Sequence, residues 1–221
     1  MKILSLDTST KLLSLCVYDD RKVYEYNIEL GRLHSKLLMP SIQRVMEALG
    51  LSPKDVDYYS CGIGPGSFTG LRIGVATIKG LAYACDKPVI GISSLDIIAR
   101  NADKDGVIVP VIDAKRNLVY CSMYRRKNGV LKKISPYRLL SVDECIKAIK
   151  PESILLGDAL AVYKQKFLKN IPGASFLDSD YWYPQGHNIA RWALEKIREK
   201  KWIDAFALEP MYLYPKECQI K

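Results

Sequence analysis

The sequence predicts an α/β fold of mixed sheets flanked by helices, and three observations predict it. Three short strand-like runs with tight turns open the chain, a glycine-rich loop at residues 64–70 joins a strand to a long helix, and another strand follows that helix. A meander gives antiparallel strands, whereas a β-α-β unit needs a parallel crossover.

Residues 2–7 (KILSLD) alternate in polarity and end at Asp7, where Asp7-Thr8-Ser9-Thr10 has the chemistry of a turn. Leu12 to Tyr18 and Lys22 to Leu30 follow as strands, with Asp19-Asp20 between them. Leu33, Leu37, Leu38, Ile42, Val45, Met46 and Leu49 then recur at helical spacing. Pro40 has no N–H to give to that helix, which predicts a kink or a late start. Gly50 stops it. Residues 57–63 read as a strand, the helix after the glycine-rich loop runs to Cys85, residues 88–92 form the next strand, and Ser94 opens a short helix. Past the polar break at 103–106, strands are expected at 107–113 and 118–126, and a third around 130–137. Ser141 caps a helix over 142–149, with Glu144 at the capping-box position. A short strand at 154–156 precedes helices at 160–169 and 188–200. Both halves run strands and then helices, which suggests two related lobes, 1–105 and 106–221, with the final helix able to pack back on the first.

With 221 residues and 48% hydrophobic content, the chain can bury a proper core without staples. Its 26% charged residues exclude the disordered and low-complexity classes. The net charge of +9 fits either an acidic partner such as nucleic acid or a generally basic surface. The basic residues cluster at Lys115–Arg116, Arg125–Arg126–Lys127, Lys132–Lys133 and Lys196 to Lys201, without the interleaved aromatics of a single-strand platform. Six cysteines (Cys16, Cys61, Cys85, Cys121, Cys145 and Cys218) form no C-x-x-C pair and point to a reducing compartment. With two histidines, His34 and His187, a structural zinc site is not expected. The start lacks the apolar core of a signal peptide, and no stretch approaches the roughly 20 apolar residues of a membrane span. A cytoplasmic protein with no membrane contact is expected.

The loop at residues 64–70 carries the most information. Gly62, Gly64, Gly66 and Gly70 surround Pro65 between a strand and a helix, and Ser67 and Thr69 add hydroxyls. Free N–H groups at such a helix start suit an anion. No Lys-Ser/Thr follows, so the P-loop pattern fails, and Ser67 replaces the last glycine of a dinucleotide fingerprint. A tight turn and helix cap is the competing reading. Gly66, Gly70 and Gly74 fall four apart, as do Ala76, Gly80 and Ala84, which suggests close approach of another helix.

Residues 62–80, GIGPGSFTGLRIGVATIKG, resemble the signature of the TsaB family, subunits of the bacterial machinery that makes threonylcarbamoyladenosine in tRNA. Leu4 to Thr10 matches its opening strand and D-T-S turn, HSKLLMP at 34–40 its H-x-x-x-L-x-P helix start, and Glu209-Pro210-Met211-Tyr212-Leu213 its closing motif. Tyr214 departs from the basic residue usual after that Leu. Residues 1–100 are well covered, and about 110–200 only by order of elements. The resemblance implies the two-lobed fold of the actin, sugar-kinase and heat-shock-ATPase superfamily. It also implies a non-catalytic subunit that binds the similar but catalytic TsaD, is joined by the P-loop ATPase TsaE, and serves threonylcarbamoyl transfer to the adenosine 3′ of the anticodon. Catalytic relatives carry an H-x-x-x-H metal pair, and the matching positions here are Ser94 and Ile98. No catalytic residue and no metal ligand is therefore expected. The chain is expected to need no cofactor, with ATP or ADP entering at the level of the complex.

Two sets of residues follow as candidates. His34, Leu37, Leu38, Ser41 and Val45 on the first helix, with Gly70, Leu71, Gly74, Thr77, Ile78 and Leu81 on the glycine-rich helix, are expected to form the docking face for TsaD. The isolated chain would pair through the same face as a homodimer. His34 could equally bond a nearby backbone group at the helix start. Asp7, Thr8, Ser9, Thr10, Gly64, Gly66, Ser67 and Thr69 form the candidate nucleotide or anion site, a remnant of the superfamily's phosphate turn. Two rival readings remain, a nucleotide-binding kinase or ATPase and a module that binds tRNA directly, where the scaffold reading has tRNA reached only indirectly.

Overall fold

A computed structural model of the chain describes all residues but Arg21, Arg32 and 215–221. Cys218 lies outside the described residues. The strands in chain order are β1 Lys2–Asp7, β2 Leu12–Asp19, β3 Lys22–Glu29, β4 Tyr58–Gly64, β5 Val89–Ser93, β6 Gly106–Asp113, β7 Leu118–Cys121, β8 Tyr124–Lys127, β9 Val130–Lys133, β10 Arg138–Ser141, β11 Ile154–Leu156 and β12 Ser175–Phe176. The α-helices are α1 His34–Ala48, α2 Phe68–Cys85, α3 Ser94–Ala99, α4 Val142–Ala148, α5 Leu160–Asn170 and α6 Gly186–Arg198. The chain divides into two compact units, Met1–Ile97 with Pro184–Met211, and Ile98–Tyr183 with the chain from Tyr212.

In the first unit the sheet order is β3-β2-β1-β4-β5. β1, β2 and β3 pair antiparallel, as their two tight turns require, and β4 and β5 add in parallel through the α1 and α2 crossovers. Strand alternation sorts the side chains to two faces. Leu4 and Leu6 join Leu13, Leu15, Tyr59 and Cys61 in a core closed by Leu38, Ile42 and Met46 of α1 and Val75, Ile78 and Ala82 of α2. Ile3 faces the other way and packs with Ile90, Ile92 and Ile97 against Ile189 and Ala193 of α6. The last helix thus completes the first unit's second layer. Gly186 lets its start approach β2, since a Cβ there would stand 2.9 Å from the Leu15 carbonyl oxygen.

The second unit repeats the order. Its sheet runs β10-β7-β6-β11-β12, antiparallel over the first three and parallel over the last three. α4 and α5 occupy the crossovers that α1 and α2 occupy in the first unit. β7 and β8 together take the place that β2 takes beside β1, and the β8–β9 hairpin the place of the β2–β3 hairpin. Val109, Val111, Val119, Leu155 and Phe167 sit in its core.

Three expectations need correction. The segment 118–126 is two strands, β7 and β8, which keep one register against β6 on either side of the gap. That register sets Ser122 opposite Pro110, which has no N–H for the ladder. The strand expected around 130–137 is β9 alone, which ends at Lys133, and beyond its end the Ser135 hydroxyl accepts the Met123 N–H at 2.8 Å before β10 begins at Arg138. Pro40 does not delay α1, which begins six residues earlier at His34. Ser141 caps α4 with Glu144 as a complete capping box. No helix among the described residues is long and apolar enough to cross a membrane.

Candidate functional site

β1 ends at Asp7, and the chain turns through Thr8, Ser9 and Thr10 before β2. The Asp7 Oδ1 accepts the Ser9 N–H at 2.7 Å, which shapes the turn. α2 begins directly over it. The Thr8 hydroxyl donates to the Gly70 carbonyl at 2.7 Å, and the Ser67 N–H donates to the Ser9 carbonyl at 2.7 Å. Ser67 is also the N-cap, its hydroxyl accepting the Gly70 N–H at 3.2 Å. The two segments singled out from the sequence are thus bonded to each other.

The glycines make this contact possible. A Cβ on Gly70 would overlap the Thr8 carbonyl oxygen, and one on Gly74 the Thr8 hydroxyl. One on Gly66 would overlap the Ser9 carbonyl, and one on Gly62 the Asp7 carboxylate. Gly64 has φ +102°, which L side chains rarely adopt. The four-residue glycine spacing therefore admits the turn of the same unit. The expectation of a second helix in that place is corrected for Gly66, Gly70 and Gly74.

Asp7, Thr8, Ser9 and Thr10 are all buried. The second Asp7 oxygen accepts the Ser94 hydroxyl at 2.7 Å. Burial raises the Asp7 pKa above its ordinary 3.8, opposed by the bonds from Ser9 and Ser94 and by the charge of His34. A phosphate that used the Thr8 hydroxyl or the Ser67 amide would have to displace these bonds, and it would meet the Asp7 carboxyl. Gly64 is buried and Gly66 half-buried, whereas Ser67 and Thr69 are exposed at the helix start. Of the candidate anion-binding residues, Thr8, Ser9, Gly66 and Ser67 meet in this closed contact, whereas the Thr10 hydroxyl bonds the Leu12 backbone and Thr69 is exposed.

The candidate docking residues separate by burial. Leu38, Leu71 and Ile78 are core side chains, and His34, Ser41, Gly70 and Gly74 are buried. Leu37 is exposed, and Val45, Thr77 and Leu81 are half-buried. The inward residues cannot meet a partner without unfolding the unit, which corrects the expected face. His34 Nδ1 lies 3.0 Å from the Gly31 carbonyl, a bond at the helix start. Sequence reasoning missed the outward residues Leu33, Met39, Phe68, Tyr83 and Phe206. On α2 the exposed positions Phe68, Arg72, Ala76 and Gly80 recur every four residues, so the signal was the same period read on the opposite phase. The Arg72 guanidinium lies 3.9 Å from the Phe68 ring centre, and Tyr83 meets Phe206 edge to face at 4.7 Å.

Two glycine substitutions should separate the two faces of α2. Gly70→Ala should destabilise the chain by about 1–3 kcal/mol through overlap with the Thr8 backbone. Gly80→Ala meets nothing within 4 Å and should stabilise it by about 1 kcal/mol through helix propensity. Urea midpoints measure both. The raised Asp7 pKa also fixes a sign. The folded state holds that proton more tightly than the unfolded state, so stability falls as pH rises from 3.8 to the folded value, then levels. Asp7→Asn removes this titration and keeps an acceptor for Ser9, so its stability relative to the parent chain should rise across that window.

Residues 29–188 match the family model described as TsaD, tRNA N6-adenosine threonylcarbamoyltransferase. The chain is 31% identical to the tRNA threonylcarbamoyladenosine biosynthesis protein TsaB of Bacillus subtilis (strain 168), over 100% of this chain and 97% of that one. It is 29% identical to the TsaB of Escherichia coli (strain K12), over 96% and 94%. A crystal structure from Pseudomonas aeruginosa, described as an uncharacterized protein with similarity to the peptidase YEAZ, superposes with TM-score 0.85 at 25% identity, covering 96% of this chain and 99% of that one. The chain therefore belongs to the TsaD family and, within it, to the TsaB proteins of tRNA threonylcarbamoyladenosine biosynthesis.

Proposed function

We propose that this chain is a non-catalytic subunit that docks on TsaD, and with it TsaE, to support threonylcarbamoyl transfer to the tRNA adenosine 3′ of the anticodon in the cytoplasm. One observation carries the reading. Where catalytic relatives have two metal-binding histidines, this chain has Ser94, whose hydroxyl donates to Asp7, and Ile98, a buried hydrocarbon. A serine hydroxyl is a poor ligand beside imidazole, and isoleucine offers no donor. The chain keeps the fold while its residues offer no counterpart to that chemistry.

The docking face we assign is the outward side of α2 with the exposed edge of α1. Ala76 and Gly80 allow a partner backbone to come close, and Phe68, Tyr83 and Leu37 flank them with exposed apolar surface. Without TsaD the same surface would pair two copies of the chain.

The test is size-exclusion chromatography with light scattering on the chain mixed with its cognate TsaD. A stable heteromer is expected, and Gly80→Trp should abolish it while keeping a native circular-dichroism spectrum, since that position opens to solvent. A complex of normal stability formed by folded Gly80→Trp would contradict the assigned face. Failure of the parent chain to bind TsaD, with TsaE and ATP present, would contradict the function.

A further inference from the structure

The excess positive charge is not spread over the surface. Residues 114–142 hold eight Lys or Arg and no Asp or Glu. They supply +8 of the net +9, so the rest of the chain is balanced to +1. This segment spans β7 to β10 in the second unit.

Its centre is the β8–β9 hairpin, which extends past the end of β7 along β6. The register sets Arg125 directly opposite Lys132, and Lys127 lies on the same face two residues along. All three are exposed. Like charges directly across a strand pair oppose pairing. Arg126, which alternates to the other face, instead donates to the Ala102 carbonyl at 2.9 Å. Among the described residues no carboxylate forms an ion pair with Arg125, Lys127 or Lys132. Exposed cations that repel across a strand pair, with no carboxylate paired to them, are explained by a polyanionic partner.

We infer that the exposed face of the β8–β9 hairpin is a binding site for the phosphate backbone of RNA, with Arg125, Lys127 and Lys132 as its contacts. Strand residues two apart stand about 6.6 Å from each other, so the three cations present a flat array suited to successive backbone phosphates. No base-reading pocket is involved, and the site is indifferent to sequence. The inference rests on the tRNA role proposed above, and it assigns the chain a direct contact with the nucleic acid.

The experiment measures binding of a fluorescein-labelled tRNA transcript to the full chain by anisotropy across a salt series. The variant R125Q/K127Q/K132Q should lose at least about tenfold in affinity at low salt. Its slope of log affinity against log salt should shrink by about 2–3, at about 0.7–0.9 per phosphate contact. The control K54Q/K104Q/K169Q removes the same charge from exposed lysines outside the segment and should keep most of the affinity. Circular dichroism checks the fold of both. Equal losses in the two variants, or none in the hairpin variant, would overturn the assignment. So would hairpin-dependent binding to anionic phospholipid vesicles without binding to the transcript. Complex formation of the hairpin variant with TsaD should be unchanged, so failure here is distinguishable from failure of the docking reading.

Discussion

The first unit depends on one close contact, the seating of a helix start on a strand-end turn. Two hydrogen bonds join them, Thr8 hydroxyl to Gly70 carbonyl and Ser67 amide to Ser9 carbonyl. Both are buried or partly buried, where an unmade bond costs about 1–3 kcal/mol. Such proximity admits no Cβ at Gly66, Gly70 or Gly74. Gly70 and Gly74, inside α2, cost helix propensity, about 1 kcal/mol each relative to alanine, and the contact offsets it. Once α2 is seated, its inward residues Leu71, Val75 and Ile78 meet the sheet, and its outward residues are left for other uses.

The same contact separates architecture from chemistry. A strand-end turn with a hydroxyl run and a glycine-rich helix start are the parts from which a phosphate site is built. Here the turn's hydroxyl and carbonyl are engaged by the helix, and a buried carboxyl with a raised pKa stands beside them. A role in threonylcarbamoyladenosine biosynthesis comes with family membership.

Much of the fold was legible because local chemistry and global topology agree. Period-two alternation gave β1, an apolar run gave β2, the Ser141–Glu144 box gave α4, and the glycine-rich motif gave the β4–α2 junction. What escaped depended on long-range pairing. The split of β7 from β8 follows from Pro110 on a different strand, which no local pattern reveals. The likeness of the two sheets was visible only as a coarse order of elements, because breaks split the second unit's strands between β7 and β8 and between β9 and β10. Of the site, the residues were legible and their roles were not. Glycine spacing announces a close neighbour without saying which neighbour, and apolar period announces a helix face without saying which face is covered. Leu38, Leu71 and Ile78 were read as outward for that reason, although they belong to the core.

The closed turn is the central claim, and titration calorimetry of magnesium-ATP into the isolated full-length chain tests it most directly. With the Thr8 hydroxyl and Ser67 amide engaged inside the unit, no saturable heat is expected at millimolar nucleotide. Saturable binding that Thr8→Val abolishes, in a variant that stays folded, would show that the turn opens to phosphate and would contradict the claim.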